Sequence, residues 1–132
     1  MRVAFDTNVL VSAFATRGLC SDIFNLVLAE HELIVGVTVL AESKRVLSQK
    51  MRVPAETTRE LIAFLRREAV VVGKAPALSL AIRDASDGTV LAEAFAGGAE
   101  VLVTGDENLL AVAGQSPIQI LTPRGLWVQL TA

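Results

Sequence analysis

The sequence predicts a single α/β domain over residues 1–132, a doubly wound, mostly parallel sheet of about five strands flanked by helices. Three observations carry that expectation. Short apolar runs rich in Val, Ile and Leu alternate with helical patterns along the chain. Those runs show little polar alternation, as do strands covered on both faces of a parallel sheet. The 132 residues, 52% hydrophobic and 20% charged, suffice for one sizeable core and argue against disorder.

The elements follow in order. RVAF near 2–5 is the first strand, and a helix near 8–15 succeeds it. A second helix near 20–31 leads to the strand LIVGV at 33–37. Val39, Val46 and Leu47 form the apolar stripe of a third helix, 38–50. Pro54 suits the first turn of a fourth, 54–68. VVVG at 70–73 is the third strand, and the connection GKAPALSLAIRDAS at 73–86 is the least regular part of the chain. A fifth helix near 87–97, with Val90, Leu91, Ala94 and Phe95 as its stripe, closes on Gly97-Gly98. The strand EVLV at 100–103, a helix near 107–113 and the strand PIQIL at 117–121 complete the pattern. No repeat or long linker interrupts it.

Composition narrows the function. The longest uncharged apolar stretch, LIVGVTVLA at 33–41, is far too short to span a bilayer, so no membrane partner is expected. The N-terminus lacks the basic-then-apolar pattern of a secretory signal. Cys20 is the only cysteine, which excludes an internal disulfide and suits a reducing cytoplasm. One His and one Cys argue against a thiol–imidazole metal site, so a bound metal would take oxygen ligands. His31 reads as a surface residue at a helix end. The net charge of −2 is unlike that of a non-specific nucleic-acid binder. Divalent cations held by clustered acids would reverse that sign locally.

The acids fall in telling places. Asp6 ends the first strand, and Asp106 follows the fourth in VLVTGDENLL. In open parallel sheets ligands bind beyond the carboxyl ends of strands where the strand order reverses, so both acids open into one crevice if these strands flank the reversal. Each aspartate alone also reads as a helix cap. Glu42 lies on the apolar stripe of its helix, three residues after Val39 and four before Val46, where an unpaired carboxylate is costly. It reads either as a ligand or as a glutamate at the stripe's edge. Asp87 lies one turn ahead of the fifth helix's stripe and Asp84 three residues further upstream; both together exceed what one cap requires.

Asp6, Glu42, Asp87 and Asp106, with Asp84 as a possible fifth, are therefore the candidate ligands of Mg²⁺ or Mn²⁺, hard ions that favour oxygen and keep positions open for water and phosphate. Such ions activate water and stabilise the leaving oxygen in phosphodiester displacement. Thr7, Asn8 and Thr104 are candidate neutral groups that orient the carboxylates or the water. Lys44, Arg45, Lys50 and Arg52 are the densest basic run and the candidate rail for phosphates, or else a solvated helix face.

FDTNVLVSA, TVLAESKRVL and RDASDGTVLAEAFAGGAEVLVTGDENLL, in that order, resemble the PIN-domain family, more closely its VapC-like toxin-type branch. The resemblance spans essentially the whole chain and implies a compact α/β metal-dependent ribonuclease, commonly dimeric and often neutralised by an antitoxin. It maps the family's four acids onto Asp6, Glu42, Asp87 and Asp106, and its small polar positions onto Asn8 and Thr104. DASDGT departs from the tighter acidic run of relatives, and Asn108 stands where they often carry another acid. The expected activity is cleavage of RNA, with an RNA- or antitoxin-binding PIN-fold protein of weakened site as the alternative.

Other classes fit worse. A haloacid-dehalogenase-like phosphatase needs an Asp where Asn8 stands, and a receiver domain needs one after the third strand, which runs into VVVGKAP. Neither GxGxxG nor a Walker loop is present. The apolar content, dense in the helices near 20–31 and 54–68, leads to the expectation of a homodimer that also offers a groove to a partner peptide.

Overall fold

The computed structural model describes residues 1–82 and 84–132. Among these residues five strands, β1 (Arg2–Phe5), β2 (Glu32–Gly36), β3 (Val70–Val72), β4 (Val101–Val103) and β5 (Gln119–Leu121), form one sheet in the order β3-β2-β1-β4-β5. Every pairing is parallel, with Val3 opposite Leu33 on one side and Val101 on the other. The chain winds outward from β1 to β3, then returns to the other side of β1 through β4 and β5. The order therefore reverses between β1 and β4, the pair whose ends carry Asp6 and Asp106.

Consecutive residues of a strand face opposite sides of the sheet. Val3, Ala4 and Phe5 are all buried, as are Val101, Leu102 and Val103, so both faces of the central strands are covered. That accounts for the missing polar alternation. Val70, on the edge strand β3, is 43% exposed.

Among the described residues seven α-helices flank the sheet: α1 (Thr7–Ala15), α2 (Leu19–Glu30), α3 (Val37–Arg45), α4 (Ala55–Glu68), α5 (Ala85–Ala96), α6 (Glu107–Ala111) and α7 (Pro123–Thr131). Phe24 of α2 meets Phe14 edge-on at 5.3 Å and Phe5 at 5.9 Å, binding α1 and α2 to the end of β1. α3 packs against α1 and α5, which brings the carriers of Glu42, Asp6 and Asp87 together. No single helix among the described residues is long and apolar enough to cross a membrane.

The structure corrects several expected elements. The third helix is not continuous to residue 50: α3 ends at Arg45 and a π-helical turn follows over Val46–Lys50. The Ser48 hydroxyl donates to Lys44 O at 2.8 Å, competing with the backbone for that carbonyl as the ladder widens. α5 begins at Ala85, so Asp87 lies inside its first turn. The last expected helix shortens to α6 and a 3₁₀ turn over Ala113–Gln115. Helix α7 was not expected from periodicity, because it is short and contains Gly125. Its start was nevertheless written in Thr122-Pro123: Thr122 Oγ1 accepts from Gly125 N at 3.0 Å, with proline at the first helical position.

On α5 the expected stripe is also corrected. Phe95 is 45% exposed, whereas Glu93, between Ala92 and Ala94, is 1% exposed. The buried face turns toward β2 and α3, where a carboxylate is needed.

Candidate active site

Asp6 leaves β1 with its backbone still in register, its N–H donating to Val103 O at 2.9 Å. Its carboxylate is 6% exposed and fully engaged: Oδ1 accepts from Thr7 N at 2.8 Å and Oδ2 from the Thr104 hydroxyl at 2.7 Å. Burial raises the Asp6 pKa, the hydrogen bonds from Thr104 and Thr7 oppose this, and the charges of Asp106 and Glu42 add to the rise. Thr104 is wholly buried and its oxygen also accepts from Asp106 N at 3.0 Å. One hydroxyl thus ties the two strand ends that carry aspartates.

Asp106 caps α6, accepting from Asn108 N at 2.8 Å. Asp84 caps α5 through Ser86 N at 2.8 Å. Both capping readings hold, and they do not exclude a second use, because a carboxylate retains free lone pairs after one such bond. Glu42 is half-buried; Oε2 accepts from the Thr7 hydroxyl at 2.9 Å and Oε1 from the Ser86 hydroxyl at 2.7 Å.

Asp87 is 8% exposed and its Oδ2 is buried without a partner. Its pKa is raised to about 7, chiefly by burial. The charge of Asp106, a proton shared with that carboxyl, and the charges of Asp84 and Asp6 add to the rise. Asp6 thus feels the charges of Asp106 and Glu42, and Asp87 those of Asp106, Asp84 and Asp6. Asn8 differs: it is exposed on the first turn of α1 and, among the described residues, its side chain bonds to none of these acids.

The donors are all hard oxygens, which suit Mg²⁺ or Mn²⁺. The orphaned Asp87 oxygen and the mutual repulsion of the acids are both relieved by a divalent cation. The residues therefore fit such an ion in kind, although among the described residues no three of them stand as they are in a geometry that holds one.

Two residues that help to build this site escaped the sequence reading. Ser86, read there only as part of a departure from the family's loop, holds one oxygen of Glu42. Glu93 reaches from α5 to the start of α3: Oε1 accepts from Thr38 N at 2.9 Å and Oε2 from the Thr38 hydroxyl at 2.6 Å. The N-cap of α3 is Gly36, which brings no side chain of its own. A Cβ there would lie 2.8 Å from the Glu93 Cβ, so glycine makes the room and Glu93 supplies the cap. The signal was available: Glu93 interrupts an apolar run as Glu42 does. Glu93→Ala is expected to lower unfolding free energy by about 1–2 kcal/mol, the usual cost of a lost cap, and Glu93→Gln by less. Urea unfolding of the two variants checks this.

Three comparisons bear on the chain. The family model described as PIN domain matches residues 2–108. No curated protein matches the sequence. Among solved structures, PAE2754 from Pyrobaculum aerophilum is similar with a TM-score of 0.66 at 19% identity, over 99% of this chain and 90% of that one. A chain of VapBC2 from Rickettsia felis, solved bound to a DNA fragment from its promoter, gives 0.63 at 17% identity, over 92% and 97%. One from FitAcB of Neisseria gonorrhoeae gives 0.59 at 12%, over 92% and 98%.

Proposed function

Because the chain belongs to the PIN-domain family, we propose that it is a metal-dependent ribonuclease, the toxin of a toxin–antitoxin pair, that cuts RNA phosphodiesters by attack of water. The observation that carries this reading is that Asp6 and Asp106 meet at the reversal between β1 and β4, with Glu42 in electrostatic reach of Asp6, and Asp87 in reach of both aspartates. Held by those four, Mg²⁺ or Mn²⁺ would supply a water of lowered pKa and positive charge against the phosphate.

The chain's own groups prepare for that chemistry. Thr104 and Thr7 fix the Asp6 carboxylate, and Thr7 and Ser86 fix that of Glu42, so their orientation is set before substrate arrives. Asp87 holds a proton near neutrality, so acid competes with any cation for this carboxyl. The exposed Lys44, Arg45, Lys50 and Arg52 are the proposed contacts to RNA phosphates.

The shared fold of the VapBC2 and FitAcB chains supports a protein antitoxin as partner. Half-buried Leu61 and Phe64 on α4, with exposed Phe95, Trp127 and Val128, support a homodimer. We take residues 1–132 as one nuclease domain, since β5 and α7 complete the sheet and its cover beyond the family match. The lone Cys20 is in keeping with a cytoplasmic setting.

Cleavage of labelled RNA is expected to stop in excess chelator and to return with Mn²⁺. Full cleavage in chelator overturns the mechanism. A second reading, a weakened PIN-fold binding protein, is favoured by Asn108 in place of a further acid; RNA binding without cleavage at any Mn²⁺ level selects it.

A further inference from the structure

Charge is divided unevenly along the chain. Residues 43–75 hold eight of the twelve Lys and Arg but three of the fourteen Asp and Glu, a net +5 against −7 for the rest. This basic segment begins one residue after Glu42 and ends one residue after Lys74.

Two open cavities share the residues Val37 and Ala41 of α3, and so form one groove. The first, about 280 Å³, runs between α3 and α4 over Leu40 and Ile62, with Lys44 and Arg66 at its rim. The second, about 380 Å³, continues over Thr38 to Glu42 and Lys74. The floor is aliphatic and the rim cationic, and one end opens on a carboxylate of the acid cluster. Among the described residues none of Lys44, Arg66 and Lys74 has an ion-pair partner.

We propose that this groove is the track for a single-stranded RNA next to the cleaved bond, with nucleobases on Val37, Ala41 and Ile62 and phosphates on Lys44, Arg66 and Lys74. It rests on the nuclease reading and specifies its substrate. An acidic peptide would match the rim but meet the carboxylates at the end, and a basic one would meet the rim's cations. A nucleic-acid strand suits both, since its phosphate reaches the acids together with the divalent cation they are proposed to hold. The floor selects single strands, because a duplex hides the base faces that an apolar surface can cover.

The test uses the Asp6→Asn chain with Mg²⁺ and a short fluorescent single-stranded oligoribonucleotide, followed by anisotropy across a salt series. Arg66→Ala with Lys74→Ala is expected to weaken binding at least tenfold at low salt. It is expected to lower the salt slope by about 1.4, at about 0.7 per lost contact on a single strand. Ala41→Glu, at an exposed position that tolerates the larger side chain, is expected to weaken it as well. A duplex of the same sequence is expected to bind at least tenfold less well than the single strand. A slope carried instead by Lys50→Ala with Arg52→Ala, or equal binding of duplex, overturns the track while the nuclease reading stands. Unchanged RNA binding in the groove variants assigns the groove to a protein partner and overturns it too. A chain with intact Asp6 that neither binds nor cleaves RNA in Mn²⁺ overturns the nuclease reading itself.

Discussion

Asp6→Asn is expected to reduce RNA cleavage by on the order of a hundredfold or more, the scale on which removal of one electrostatic group from a reaction centre acts. The fold is expected to persist. Asparagine matches the shape of aspartate, and its oxygen still accepts from Thr7 N or from the Thr104 hydroxyl, whose geometry it preserves. What it removes is a buried charge beside Asp106 and Glu42. In chelator the variant should therefore melt no lower than the parent chain. In Mn²⁺ the parent should gain more thermal stability than the variant, because an ion bound to the folded state stabilises it by RT ln(1 + c/Kd) at free-ion concentration c, more for the tighter site. The paired measurements separate the two uses of this residue. Lost activity with an unchanged Mn²⁺ effect on melting would mean that Asp6 does not take part in holding the ion.

The second large effect is on stability against pH. In the folded, metal-free chain the Asp87 pKa is raised to about 7, from the ordinary aspartate value of 3.8. The folded state then binds this proton more tightly than the unfolded one. The contribution is full below about pH 4 and is lost as pH rises toward 7, after which the deficit is constant. Metal-free protein should thus lose stability from pH 5 to pH 8, by about 2–3 kcal/mol from this group. The raised Asp6 adds in the same direction. Asp87→Asn is expected to flatten the profile and to be the more stable chain at pH 8, and saturating Mn²⁺ to flatten it in the parent. Urea unfolding in chelator at the two pH values reads this directly. A stability that climbs from pH 5 to pH 8 would contradict the burial of the Asp87 carboxyl beside Asp106.

The sequence by itself determined the class of fold and the acids at the ends of two buried strands, whereas the strand order placed the reversal between those strands. Apolar strands without alternation can exist only where both faces are covered, and Val3 to Phe5 and Val101 to Val103 obey that local rule. The placement of Asp6 and Asp106 after those strands was legible for the same reason, since a strand end is a local event. The first turn of α7 is equally local, written in Thr122-Pro123, although the helix is too short for apolar periodicity to mark it. Only the tertiary structure decided what each acid meets. Periodicity names the face of a helix and not its neighbour, so it could mark Glu42 as misplaced but could not supply Thr7 and Ser86 as its partners. It ranked Phe95 above Glu93 on α5, because hydrophobicity was the only criterion for burial. The bare start of α3 at Gly36 reverses that order. A helix end without a cap demands an acceptor, and only the packing of α5 on α3 brings the carboxylate of Glu93 to Thr38.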